Sequence, residues 1–165
     1  MMRRRSRGAT LVELVITIVI ISVAIAGVVG AFALLTGRSA DPLNQTRAVA
    51  LAQLYADEIL ARQYDDNTPP GGVPRQSGCT IATEESSRAN YDDVDDYQAI
   101  SGEAPTDAAG VPLDASAYQG FTVAVSVACA GTEVALPDID AKRVDITIQD
   151  PSGNAYLFTL YRANY

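Results

Sequence analysis

RRRSRGATLVELVITIVIISVAIAGVVGAFALL, residues 3–35, joins four arginines and a glycine to an apolar run in which Glu13 is the one charge. From 9 to 36 the chain runs 28 residues with that single carboxylate. A helix needs roughly 18 to 20 residues to cross about 30 Å of hydrocarbon, so the run predicts a membrane-spanning helix. The apolar core of an ordinary cleaved signal is about 7 to 15 residues, much shorter than this one. Arg3, Arg4, Arg5 and Arg7 precede the span and an acidic body follows it, which by the positive-inside rule puts the N-terminus in the cytoplasm and the body outside. An ionisable group inside such a span costs roughly 2.5 to 3.5 kcal/mol on insertion scales, less near the interface, so Glu13 is a candidate functional residue.

Outward from this stretch, the 165 residues suit one modest domain plus an appendage. Beyond the four leading arginines the chain holds 8 basic against 20 acidic residues, a formal charge of -12 that repels phosphate backbones, so nucleic acid is not an expected partner. Histidine is absent, which removes the commonest general base and metal ligand. No nucleophile–base pair, phosphate loop or paired catalytic carboxylates stand out, and an enzyme is not expected. Cys79 and Cys129 belong to no CxxC or Cys/His cluster. In an oxidising compartment a single disulfide is the simplest reading, with two buried free thiols as the alternative.

Gly8-Ala9-Thr10-Leu11-Val12-Glu13-Leu14, after an Arg-rich leader and before an Ile/Val run, resembles the N-terminal signature of type IV prepilins and type II secretion pseudopilins. The resemblance implies a prepilin peptidase cutting between Gly8 and Ala9, N-methylation of Ala9, and retention of the helix as anchor and assembly surface. It assigns Glu13 to the amino terminus of a neighbouring subunit, so other pilin subunits and the inner membrane are the implied partners. Ala9 stands where the family usually has phenylalanine. Gly27 and Gly30 occupy the region where many major pilins carry a proline. The implied organisation is a cytoplasmic leader at 1–8, a transmembrane and assembly helix at 9–36, and an extracytoplasmic globular domain at 37–165.

After the span, Thr36-Gly37-Arg38-Ser39-Ala40-Asp41-Pro42 reads as a break with a restart signal, Asp41 as N-cap and Pro42 in the first turn. A second helix is expected over 42–63, with Ala48, Leu51, Ala52, Tyr55 and Ile59 forming an apolar stripe that packs on a sheet. Pro69-Pro70-Gly71-Gly72 and Pro74 then place a loop before Cys79. Residues 83–116 read as polar and irregular, centred on Tyr91-Asp92-Asp93-Val94-Asp95-Asp96-Tyr97. Four carboxylates within five residues repel unless water, a cation or a basic partner screens them. A solvated or partner-facing acidic loop is the first reading. A Ca²⁺ site at Asp92, Asp93, Asp95 and Asp96 is the second; some pseudopilins bind calcium in a globular-domain loop, although the run lacks the EF-hand pattern. The DDVDDY stretch and the preceding AQ-x-YADEIL helix also resemble minor pilins of the mannose-sensitive haemagglutinin pilus, the D-type component in particular.

Alternation at Phe121, Val123, Val125, Val127 and Cys129, then at Val144, Ile146 and Ile148, and Tyr156, Phe158 and Leu160 after a Pro151-Ser152-Gly153-Asn154 turn predict three strands. The fold class expected is α+β and pilin-like: a long N-terminal helix, first half transmembrane and second half amphipathic, packed on a C-terminal antiparallel meander. Cys129 is in phase with the apolar strand face, where Cys79 could meet it. The leading functional expectation is a minor type IV pilin that enters or initiates a filament for adhesion or motility. A type II secretion minor pseudopilin is the alternative within the class, and a membrane-anchored periplasmic calcium-binding or sensor module the alternative outside it.

Overall fold

The computed structural model describes residues 10–38, 40–69 and 71–165. The chain divides into two compact units, Met1–Leu43 and Asn44–Tyr165. In the first, helix α1 (Leu11–Arg38) contains a 23-residue span, Leu11–Ala33, long and apolar enough to cross a membrane. Its apolar side chains over 11–33 are exposed. Thr17 and Ser22, the two hydroxyls following Glu13 in the span, each donate to the carbonyl four residues back (2.7 Å to Glu13 and 2.7 Å to Ile18), so neither polar group requires water within the helix.

The break expected over Thr36 to Pro42 is narrower than its composition suggests. Helix α1 continues through Thr36, Gly37 and Arg38, and α2 (Ala40–Leu60) begins ahead of the expected Asp41 cap. Pro42 therefore falls in the first turn of α2, where its missing N–H has no intrahelical acceptor to lose.

In the second unit the stripe on α2 is buried as its spacing predicts: Ala48, Leu51, Ala52, Tyr55 and Ile59 are all in the core. Opposite lies a four-stranded antiparallel sheet in the order β1 (Ser101–Glu103), β2 (Thr122–Cys129), β3 (Ala141–Gln149), β4 (Ala155–Ala163). Val123, Val125 and Val127 of β2 and Val144, Ile146 and Ile148 of β3 face α2, while Phe158 and Leu160 of β4 are half-buried beside them. Burying a residue of this size contributes about 1.5 to 3 kcal/mol, so this layer dominates the unit's stability.

The three long strands match the alternation in the sequence. Strand β1 does not announce itself, because Ser-Gly-Glu is short, polar and exposed on both faces. It is held by pairing with β2 through a register shift between Ser101 and Glu103. Strand β3 also starts earlier than its valine and isoleucines suggest, at Ala141, which brings Lys142 into phase with the apolar positions.

Candidate functional site

Two features of this chain carry chemistry beyond packing, one in each unit. The first is Glu13. Thr10 opens α1, its hydroxyl accepting from the Glu13 amide at 3.3 Å and its carbonyl from the Leu14 amide at 3.1 Å. Glu13 thus lies in the first turn, where a negative charge complements the helix dipole. Its side chain is exposed, and among the described residues no lysine or arginine nitrogen lies within 4.0 Å of it. A carboxylate in an apolar span with no counter-charge among the described residues of its own chain is suited to a cation supplied by another molecule. Gly8 and Ala9, the expected cleavage and methylation residues, lie outside the described residues.

The second feature is the acidic segment after α2. The expectation of a solvated run is corrected by burial: Asp93, Asp95 and Asp96 are 2%, 2% and 0% exposed, and only Asp92 faces solvent. The segment folds inward because its carboxylates accept its own backbone amides. Asp93 Oδ1 accepts from the amides of Asp95 (2.7 Å) and Asp96 (3.2 Å), capping the 3₁₀ turn Asp95–Ala99, and its Oδ2 accepts from the Asp66 amide at 2.9 Å. Asp96 Oδ2 accepts from the amides of Asp92 (3.1 Å) and Asp93 (3.4 Å). Gln63 completes the attachment, its amide donating to Asp92 O and its carbonyl accepting from the Val94 amide. Burial, then the neighbouring charge of Asp95, push Asp93 up to about 7 against these amide donors.

The four aspartates do not converge on one point. Asp93 and Asp95 line a cavity of about 290 Å³ with Asp65, Asp66, Glu84 and Gln76 among its walls. Into this neighbourhood β3 delivers Lys142, itself 0% exposed, whose ammonium donates to Asp95 Oδ2 at 2.7 Å and to the Tyr64 carbonyl at 2.7 Å. Asp65 lies 3.8 Å from the same nitrogen, and the Tyr64 ring centroid 4.5 Å away. Burial raises Asp95 to about 6, opposed chiefly by the hydrogen bond and charge of Lys142. Asp95 is therefore the internal counter-ion of a buried lysine.

Asp92 and Asp96 turn instead toward acids the sequence reading left in loops. Asp66, Glu85 and Asp92 each place a carboxylate oxygen within 4.8 Å of the others, and Glu84, Glu85 and Asp96 do the same. The Asp96 carboxyl, then burial, push Glu85 up to about 7. Glu84 and Glu85 lie in the loop that starts at Cys79, and Cys79 is joined to Cys129 at the end of β2 by a disulfide with a Cα–Cα distance of 6.1 Å. Both cysteines are half-buried, so the bridge sits at the margin of the core rather than within the apolar face expected for Cys129. Farther along, Arg88 anchors the loop by an ion pair to Glu58 (2.8 Å), a bond to the Asp107 carbonyl (2.8 Å) and a stack 4.5 Å over the Tyr55 ring.

Sequence reasoning missed Lys142, Asp66, Glu84 and Glu85. For Lys142 a signal existed, since it stands two residues before Val144 in the same strand phase. For the others only the acid doublets Asp65-Asp66 and Glu84-Glu85 were visible, with nothing to bring them together.

A family profile described as the prokaryotic N-terminal methylation motif matches residues 3–29. The match supports a type IV pilin-like or pseudopilin protein, a class of structural subunits, and a prepilin leader implies processing by prepilin peptidase and assembly with other pilins. No curated protein and no solved structure matches the chain.

Proposed function

We propose that this chain is a minor type IV pilin: a subunit cut between Gly8 and Ala9, methylated at Ala9, held in the inner membrane by α1 with its globular unit in the periplasm, and passed into or placed at the start of a pilus. The carrying observation is the continuity of the methylation motif with a 23-residue span whose single carboxylate, Glu13, has no counter-charge among the described residues of its own chain. Pairing Glu13 with the new amino terminus of a neighbouring subunit offsets the cost of placing it in hydrocarbon. The AQ-x-YADEIL helix and the DDVDDY segment favour a pilus of the mannose-sensitive haemagglutinin type. A type II secretion minor pseudopilin shares the leader, and deletion of the gene separates the two: lost surface pili support the first, lost protein export the second.

N-terminal sequencing of the membrane-extracted protein is the direct test. A chain starting at Ala9 supports the reading, whereas one starting at Met1 overturns it and leaves a plain membrane-anchored module. Glu13→Ala is expected to leave insertion and cleavage intact and to lower filament incorporation by about tenfold, read by immunoblot of sheared pili, since a counter-charged pair in a low-dielectric bundle is lost. Unchanged incorporation removes Glu13 from assembly.

A further inference from the structure

The two edges of the sheet are built differently. Strand β1 is three residues long and shifts register within its pairing, which leaves little edge to extend. Strand β4 forms the opposite edge, pairs with β3 at nine successive positions without a shift, and contains neither proline nor lysine. The Asp150 amide donates to the Asn154 carbonyl (2.9 Å) and the Asn164 amide to the Asp140 carbonyl (3.0 Å), which marks the even-numbered residues of β4 as those bonded to β3. By alternation the amides and carbonyls of Ala155, Leu157, Thr159 and Tyr161 point away from the sheet. Among the described residues these groups have no hydrogen-bond partner. A long, regular edge without bulge, proline or lysine is a template for another strand.

The α2 side of that edge is open as well. Val144 and Ile146 of β3 are 0% exposed, whereas Leu160 and Phe158, their partners on the same face of β4, remain half-buried. Beside them α2 presents Val49, Ala52 and Ala56, and the two elements border an apolar groove of about 200 Å³. Next in this row of β4 comes Arg162, which with Arg62, Gln63 and Thr68 lines a second cavity of about 390 Å³. Arg62 and Arg162 have no carboxylate within 4.0 Å among the described residues, unlike Arg75, Arg88, Lys142 and Arg143. Arg62 Nε donates to the Tyr97 hydroxyl (3.2 Å) and Arg162 to the main-chain carbonyls of Arg62, Ala163 and Tyr165, so both guanidiniums meet neutral groups only.

We propose that the outer edge of β4 receives an extended segment of another polypeptide as a fifth strand, apolar at the alternate positions that face α2 and acidic where it reaches Arg62 and Arg162. Main-chain bonds to Ala155, Leu157, Thr159 and Tyr161 supply affinity, while the groove selects side chains at every second position. The two guanidiniums offer planar donors matched to a carboxylate. The rest of the body is acidic, so an acid at the other end of the segment is repelled and one orientation is favoured. A second copy of this chain does not meet that description, since β4 carries an arginine and no acid. The inference does not rest on the pilin reading.

The test is amide hydrogen exchange, read by NMR on the full chain in detergent, with synthetic end-blocked peptides of about seven residues, the length of an ordinary strand. They alternate valine and threonine and carry aspartate at the amino or the carboxyl end. One of the two is expected to slow exchange at Leu157, Thr159 and Tyr161 at least about tenfold, and to change Phe158 and Leu160 little because those amides already bond to β3. Lysine in place of the aspartate should weaken binding at least about tenfold. Leu157→Pro removes an outward amide that the β3 ladder does not use, at a side chain 64% exposed, so it is expected to keep the fold and abolish protection at Thr159 and Tyr161. No protection with either peptide, equal binding of the lysine peptide, or protection that survives in Leu157→Pro overturns the proposal. Dimers of the free chain that Leu157→Pro dissolves would assign the edge to a second copy and overturn it too. Should Leu157→Pro not fold, the exchange pattern of the wild type and the aspartate-to-lysine comparison still decide.

Discussion

Lys142→Met is expected to cost the globular unit about 3 to 5 kcal/mol, the usual penalty for removing one partner of a buried ion pair. The side chain is fully buried, and its ammonium meets Asp95, the Tyr64 carbonyl and, at 3.8 Å, Asp65. Methionine fills much of the same volume, so the loss is electrostatic: Asp95 is left at 2% exposure with its counter-charge gone. A second change separates charge from packing. Asp95→Asn in the Lys142→Met background removes the stranded carboxylate, and the double variant should recover roughly 1 to 3 kcal/mol of coupling energy in a double-mutant cycle. Urea midpoints of the full chain in detergent give all four corners. A single-variant loss below about 1 kcal/mol would mean that the pair contributes no more than a surface bridge.

Replacing both cysteines by serine is expected to remove a comparable amount. Cys79 and Cys129 are 50 residues apart, and opening a loop of that length releases about 4 kcal/mol of denatured-state constraint in the chain-entropy model. For a unit of this size that lowers the unfolding midpoint by roughly 10 to 20 °C. The reduced wild type should melt with the serine variant; a difference under about 2 °C between oxidised and reduced protein would show that the bridge adds little. The bridge also tethers the loop that carries Glu84 and Glu85 to the end of β2.

Periodicity made most of the fold legible before any coordinate was known. The α2 stripe and the alternation of β2, β3 and β4 are direct records of burial, because a residue's place in a regular element repeats every 3.6 or 2 positions. Strand β1 left no such record, since Ser101-Gly102-Glu103 buries nothing and depends on β2 for its hydrogen bonds. The acidic segment was misread as solvated for a related reason. Composition counts charges but does not reveal that Asp93 and one oxygen of Asp96 accept from nearby amides, or that a lysine about 50 residues later on β3 pairs with Asp95.

The sequence alone determined what is local and ordered along the chain: the methylation motif, a span long enough for a bilayer, Glu13 within it, and the second helix and three long strands of the α+β unit. Only the tertiary structure decided which acids meet. Asp66, Glu85 and Asp92 come together because the turn after α2, the disulfide-tethered loop and the acidic segment fold onto one another, while Asp93 and Asp95 turn to amides and Lys142. Periodic burial is a property of neighbours in sequence. A charged cluster is a property of neighbours in space, set by where the chain's long-range contacts close.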